Sequence, residues 1–225
     1  MERHFDEELA GLKEDIIKMG GFVEAAILNS VEALKDLSKD KASEVVLEDR
    51  LIDELELKID EECLDFLALR QPMASDLRFI TMSMKIATDL ERMADLAVDI
   101  AQRALELADK PLLKPLIDIP KLANLAQDMV RDAVNSFVNS DVDLAKSVIL
   151  RDKQADALRD LVQAELLDNY IAKDKNTRSR ALPLILVARH LERIADHATN
   201  ISEDIIFMVQ AKVVKHHLEK LDNGK

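Results

Sequence analysis

The sequence predicts an all-α fold built from six long helices. The chain of 225 residues contains only 4 Gly and 5 Pro, and neither residue occurs between positions 22 and 71. Apolar residues recur along the chain at intervals of three and four, which is the spacing of one helix face. A scarcity of turn residues combined with this periodicity is typical of helical bundles.

The first three helices are expected before position 110. The prolines and the apolar stripes place them at about 6–38, 42–69 and 72–108, with a short turn at 38–41. Pro72 suits the first turn of a helix, because its missing N–H is not needed there. Gly20 and Gly21 fall inside the first helix and indicate a kink, a close approach or a tolerated irregularity.

A linker divides the chain into two halves. It contains three prolines within ten residues, Pro111, Pro115 and Pro120. The predicted organisation is a first three-helix unit over 1–110, a linker over 111–120, a second unit over 121–215 and a frayed C-terminus over 216–225. The helices of the second unit are expected at about 121–139, 142–173 and 177–214.

The two halves repeat one another in sequence. Residues 85–100 and 186–201 are identical at eight of sixteen positions with an offset of 101, and the second helix of each half matches with an offset of 103. The predicted core stripes run from Ser83 to Leu107 and from Leu184 to Met208. Because three helices alone bury little apolar surface, we expect two tandem pseudo-symmetric three-helix bundles packed side by side.

Composition and charge argue against several classes of protein. With 31 basic and 44 acidic residues the net charge is −13, which disfavours non-specific binding to nucleic acid. The longest uncharged apolar run, Leu182–Ala188, is too short for membrane insertion. The single Cys63 forms no internal disulfide, and the acidic N-terminus lacks the apolar core of a signal peptide. We therefore expect a cytoplasmic protein.

Acidic residues recur at matching positions in both halves. In the first half, Asp49 and Asp53 lie four apart on the second helix, and the third helix carries Glu91, Asp95 and Asp99. The second half has Asn200 in place of the third acid, and its candidate residues are Asp152, Asp156, Glu192 and Asp196. Carboxylates four apart on a helix lie about 5 to 6 Å from each other and repel. A neighbouring arginine or a bound cation would offset that repulsion.

Helix geometry places the acids of the two helices at similar distances from the turn that joins the helices. If the second and third helices form an antiparallel hairpin, both carboxylate pairs lie roughly 28 to 35 Å from its turn, and the second half gives the same agreement. Four carboxylates on two facing helices are suitable ligands for hard divalent or trivalent cations such as Mg, Mn or Fe. Because one-third of the chain is charged, a solvated acidic face is the alternative explanation.

The sequence contains no group of residues that indicates catalysis. None of the five histidines has Asp or Glu three residues before it, so the Glu-x-x-His pattern of ferritin-like di-iron bundles is missing. His190 and His197 flank the acidic column and are either auxiliary ligands or surface residues. The sequence also lacks a Gly-rich phosphate loop and a nucleophile elbow. We therefore expect that the protein is not an enzyme.

Several segments of the sequence resemble a known family. They are RHFDEEL at 3–9, QPMASDLR at 71–78, and the repeated pair LERMAD at 90–95 and LERIADH at 191–197. As a set they are similar to the PhoU family, the accessory and regulatory proteins of phosphate-specific transport, and the similarity spans essentially the whole chain. The resemblance implies a PhoU-like six-helix architecture and metal binding by the Glu/Asp-x-x-x-Asp motifs described above.

The resemblance also implies a function, which is negative regulation of the phosphate-starvation response with an indirect effect on transcription. It implies two partners, the ATPase subunit of a phosphate ABC transporter and a phosphate-sensing histidine kinase, and modulation of phosphate uptake. We further expect a homodimer. The alternative function is that of a metal-binding bundle, used for metal storage or for metal-dependent phosphoester chemistry.

Overall fold

The computed structural model describes the backbone of residues 2–213 and the side chains of residues 7–213. This part of the chain is helical and contains no strand, which confirms the predicted all-α class. The frayed C-terminus predicted at 216–225 lies outside the described residues. The α-helices are α1 Glu2–Asp36, α2 Lys39–Glu48, α3 Arg50–Arg70, α4 Ala74–Leu107, α5 Asp118–Asn139, α6 Val142–Glu165 and α7 Arg178–Gln210.

The predicted second helix is divided in two at Asp49. The backbone angles of Asp49 are helical, with φ −52° and ψ −39°. The Ile52 N–H, however, donates to the Asp49 carbonyl at 2.8 Å, three residues earlier in the chain. One tighter turn therefore joins α2 to α3. The prediction of an unbroken helix over 42–69 is wrong at this residue.

Two further helix boundaries differ from the prediction. Gln71 adopts the left-handed conformation, with φ 50° and ψ 54°, and ends α3. Pro72 lies before the extended Met73, so it precedes α4 instead of occupying its first turn. In the second half, α5 begins at Asp118, three residues earlier than predicted, and Pro120 lies in its first turn, where proline is tolerated. A π-helical segment, Leu166–Ile171, follows α6.

The core is built around α4 and α7, which pack against each other and against the helices of their own halves. Both predicted core stripes are confirmed, because every residue in them is buried. In α4 the stripe is Ser83, Ile86, Leu90, Met93, Ala97, Ile100, Ala104 and Leu107. In α7 it is Leu184, Val187, Leu191, Ile194, Ala198, Ile201, Ile205 and Met208. The spacing of three and four residues keeps each stripe on one helix face.

Among the polar contacts between the halves, two join α4 to α7 through buried acids. The Lys85 ammonium in α4 lies 2.6 Å from a carboxylate oxygen of Asp204 in α7, and Asp204 is almost fully buried. Nearby, Nδ1 of His197 lies 2.8 Å from Oδ1 of Asp89. Burying a carboxylate is unfavourable unless it is paired, so these contacts favour one register of α4 against α7.

No helix within residues 2–213 combines the length and the apolar character that crossing a bilayer requires.

Gly20 allows α1 to approach α5 closely. A Cβ atom at Gly20 would lie 2.9 Å from Cγ2 of Val134, whereas a Cβ atom at Gly21 would meet nothing within 4 Å. Of the three explanations for the glycine pair, close approach is therefore the correct one for Gly20. Gly21 has no such contact, which leaves it a tolerated irregularity in the helix.

We predict that Gly20→Ala is less stable than Gly21→Ala by about 1 to 3 kcal/mol, because only the first introduces an overlap with Val134. Gly21→Ala should stabilise the chain by up to about 1 kcal/mol through helix propensity. The measurement is urea denaturation of both variants. In a Val134→Ala background the penalty for Gly20→Ala should shrink, and equal stabilities of the two glycine variants would contradict the close approach.

Candidate functional site

The first acidic cluster lies where α2 and α3 pack against α4. Asp49 stands at the junction of α2 and α3 and is half-buried. Its pKa is raised from 3.8 to about 6, first by burial and then by the negative charges of Asp53 and Asp95. The structure thus brings acids of the second and third predicted helices close enough to repel one another.

Glu91 and Asp95 on α4 complete this cluster. Burial, followed by the charge of Asp95, raises the pKa of Glu91, and the charges of Glu56 and Asp53 add to the shift. The pKa of Asp95 is raised by burial, then by Asp53 and Asp99. The four carboxylates predicted to converge in the first half, those of Asp49, Asp53, Glu91 and Asp95, therefore do interact.

Glu56 belongs to the same cluster, and the sequence-based prediction missed it. It lies three residues after Asp53 and seven after Asp49, a spacing that keeps it on the same face of the helix. The Thr88 hydroxyl on α4 donates to its Oε1 at 3.4 Å. The helical spacing was the signal that could have identified it.

Asp99 lies at the edge of the first cluster, facing the other half of the molecule. One of its carboxylate oxygens is 3.8 Å from Nδ1 of His190 in α7. Its charge still raises the pKa of Asp95, so it is not isolated from the cluster. The third acid of the predicted column therefore also contributes to the contact between α4 and α7.

The second acidic cluster lies between α6 and α7. Burial, then the charges of Asp152 and Asp156, raise the pKa of Asp196. Burial, then the charge of Asp196, raise the pKa of Glu192. The four carboxylates predicted to converge in the second half, those of Asp152, Asp156, Glu192 and Asp196, are therefore also neighbours.

The second cluster contains a basic side chain that the prediction missed. The Arg159 guanidinium, on α6, contacts Glu192 on α7 through Nη1. The same Nη1 lies 3.0 Å from Oδ1 of Asp156, and Nη2 lies 2.9 Å from Oδ1 of Asp160. The hydroxyl of Thr199 also donates to Oδ1 of Asp152 at 3.3 Å. Three of the four predicted acids in this half therefore have a donor.

His190 and His197 each lie beside an acid of α4. His197 contacts Asp89 through Nδ1, and His190 faces Asp99, so both rings lie between α4 and α7. Burial lowers the pKa of His190, while the charge of Asp99 opposes this shift. The structure contradicts the explanation that they are surface residues, because both are partly buried, and the auxiliary-ligand explanation stays a prediction.

The donor atoms of the first cluster suit a hard cation. They are carboxylate oxygens, and among the described residues none of Asp49, Asp53, Glu91 and Asp95 has a basic side chain within salt-bridge distance. In the described part of the chain, however, no three acid, histidine or cysteine side chains converge closely enough to hold one ion as they stand. Metal binding here therefore requires the carboxylates to rotate toward a common point.

The repeat is matched by a known family model. The model, described as the PhoU domain, fits residues 16–104 and again residues 119–205. The chain belongs to the PhoU family. This PhoU-family chain is 43% identical over 210 residues to the "Phosphate-specific transport system accessory protein PhoU homolog" of Aquifex aeolicus (strain VF5), an alignment that covers 93% of this chain and 95% of the relative.

Solved structures show the same fold. The crystal structure of PhoU from Pseudomonas aeruginosa is similar with a TM-score of 0.89 at 38% identity, covering 92% of this chain and 100% of that one. The crystal structure of the phosphate transport system regulatory protein PhoU from Streptococcus pneumoniae gives a TM-score of 0.87 at 27% identity, covering 94% and 99%. The PhoU resemblance and the PhoU-like architecture predicted from sequence are both confirmed.

The raised pKa of Asp49 predicts how a substitution there depends on pH. Asp49 has a pKa of about 6 in the folded chain and 3.8 as its ordinary value. Its negative charge therefore destabilises the folded state above pH 6. This destabilisation decreases as the pH falls and Asp49 becomes protonated. Asp49→Asn should therefore stabilise the metal-free chain at pH 7, because it removes a partly buried charge that two like charges repel, and the repulsion alone corresponds to about 0.5 to 1 kcal/mol.

This prediction is measured as the difference in unfolding free energy between Asp49→Asn and the wild type, in chelator, at pH 7 and at pH 5. Taking the difference removes the contribution of His190, whose lowered pKa acts in the opposite direction. The stabilisation should shrink at pH 5. A stabilisation that grows or stays constant would show that Asp49 does not titrate in this range.

Proposed function

We propose that this PhoU-family chain is a cytoplasmic adaptor that regulates phosphate-specific transport. The observation that carries the proposal is similarity over 93% of the chain to a relative described as a transport system accessory protein. The S. pneumoniae relative is described as a phosphate transport system regulatory protein, and its fold is shared over nearly the whole chain. The proposed action is to restrain the phosphate-starvation response when phosphate is plentiful.

The proposed partners are the ATPase subunit of the phosphate ABC transporter and a phosphate-sensing histidine kinase. The chain offers long helical surfaces and a net charge of −13, both suited to binding basic patches on other proteins. Within the described residues the acids of the first cluster lie beside other acids, and no nucleophile is paired with a base, so association accounts for these features better than catalysis. The predicted homodimer stays a prediction.

Binding of the ATPase subunit tests the adaptor function. Purified chain should bind the isolated subunit at low salt, and the affinity should fall as NaCl rises, because salt screens the attraction between an acidic surface and a basic one. Titration calorimetry across a series of salt concentrations measures this effect. Sucrose at matched osmolality serves as the control, since it leaves charges unscreened.

Two outcomes would redirect the proposal. Absence of binding at low salt would contradict an ATPase-coupled adaptor. Turnover of phosphoesters by the purified chain with added Mn²⁺ would favour the alternative of a metal-dependent enzyme. Loss of phosphate-responsive repression in a deletion strain, together with no such turnover, would support the adaptor.

We also propose that the first cluster binds a hard cation such as Mg, Mn or Fe. Asp49, Asp53, Glu91 and Asp95 would hold it, with Asp99 and Glu56 adding negative charge nearby. A bound cation would supply the positive charge that this cluster lacks. The support is the position of these acids on facing helices, where burial first and then their mutual repulsion raise the pKa of Asp49, Glu91 and Asp95.

Replacing the α4 acids tests the cation site. Glu91→Gln with Asp95→Asn should abolish metal binding by the first half and remove the rise in melting temperature that Mn²⁺ gives the wild type through linkage. Metal content and thermal melts measure both effects. Glu61→Gln with Asp65→Asn is a matched control, since this exposed pair on α3 has the same spacing. Identical metal content and melting response in both double variants would indicate a solvated acidic face.

A further inference from the structure

The two acidic clusters differ at the positions that surround their shared acids. With the offset of 103, Glu56 in the first half corresponds to Arg159 in the second. With the offset of 101, Val98 corresponds to Thr199 and Asp99 to Asn200. Every one of these differences gives the first half an additional acid or removes a donor from it. The two halves share the same helix arrangement, but only the second half has a basic side chain at this position, Arg159.

Arg159 is placed between the helices of the second cluster. A single nitrogen, Nη1, contacts Glu192 on α7 and lies 3.0 Å from Asp156 on α6, so it bridges one carboxylate from each helix. The Arg159 side chain is 25% exposed and that of Glu192 only 12%. Charge-assisted contacts in such partly buried surroundings are the stronger ones.

A cation entering the second cluster would have to displace this guanidinium. Asp156 and Glu192 would then exchange Arg159 for the ion, which would leave the partly buried arginine with only the exposed Asp160 of its three ion-pair partners. Asp152 would also lose the hydroxyl of Thr199 if it turned toward the ion. The acids of the second half therefore do not fit a metal site while Arg159 is present.

Arg92 does not give the first cluster an equivalent counter-charge. It is exposed, and its lowering of the Glu91 pKa is the smallest of the effects on that group. Arg193 occupies the same position in the second half, so this pair of arginines does not distinguish the clusters. The difference between them rests on Glu56 and Arg159.

We propose that Arg159 takes the place of the cation in the second cluster, so that the chain binds hard cations in its first half only. Metal binding by both halves, which the sequence pattern predicts, is replaced by one cation-dependent cluster and one whose positive charge comes from Arg159. The assignment of metal to the first half rests on the proposed cation site, whereas the role of Arg159 does not.

Calorimetric titration of the full chain with Mn²⁺, after chelator treatment, tests the inference. Wild-type binding should be lost in Glu91→Gln with Asp95→Asn and retained in Glu192→Gln with Asp196→Asn. Binding that survives the first double variant and disappears when the second is added would overturn the inference, because it would place Mn²⁺ in the second cluster.

Exchanging the two distinguishing residues provides the sharper test. Arg159→Glu should open a second site and roughly double the Mn²⁺ bound per chain, because it recreates the carboxylate set of the first half. Glu56→Arg should abolish binding by the first half. Arg159→Lys is the matched control, since it retains the positive charge and should gain no site. If Arg159→Glu fails to fold by circular dichroism, Arg159→Gln is used in its place.

The outcomes separate this inference from the proposed cation site. If the wild type binds no Mn²⁺ but Arg159→Glu or Arg159→Gln does, the cation site of the first half fails while the role of Arg159 stands. If neither Arg159 variant gains Mn²⁺, the inference is overturned, even if the first half binds metal as proposed.

Discussion

The packing of α4 against α7 is the contact on which the rest of the structure depends. Each helix buries a complete stripe of apolar and small side chains, and the two helices belong to different halves of the chain. Burial of this kind is the dominant favourable contribution to folding. Because neither three-helix half encloses both stripes, the halves stabilise each other, and the outer helices take their positions from this central pair.

The same packing determines where the acids lie. Glu91 follows the buried Leu90 directly, and Glu192 follows the buried Leu191, so each acid lies beside the core stripe, close to the outer helices of its own half. Partial burial there raises the pKa of these carboxylates before any neighbouring charge is considered. The clusters are therefore a consequence of core packing. When helices bury one face against each other, the carboxylates at the edge of that face are brought close together and partly buried.

A comparison of equivalent positions in the two halves shows which features of the repeat are shared and which residues differ. The burial of the core stripe is kept in both halves although side-chain volume changes, as the pairs Ser83/Leu184 and Ala104/Ile205 show. At the margin of the core, around the acids, some residues are kept, such as Arg92 and Arg193, and others have diverged, as Glu56 and Arg159 show. Under the proposals made above, a partner would meet one half whose charge depends on a bound cation and another whose charge is fixed by the chain itself.

The sequence by itself determined most of the helices, the two core stripes, the repeat and the helix face on which each acid lies, because all of these follow from helical periodicity within one segment. Only the tertiary structure decided which helix lies opposite each residue. It placed Gly20 against Val134, His190 against Asp99, and Arg159 between α6 and α7. The sequence repeat already shows that Glu56 and Arg159 occupy equivalent positions. The contact of Arg159 with Glu192 depends on the distance between α6 and α7, and periodicity along one helix does not give that distance.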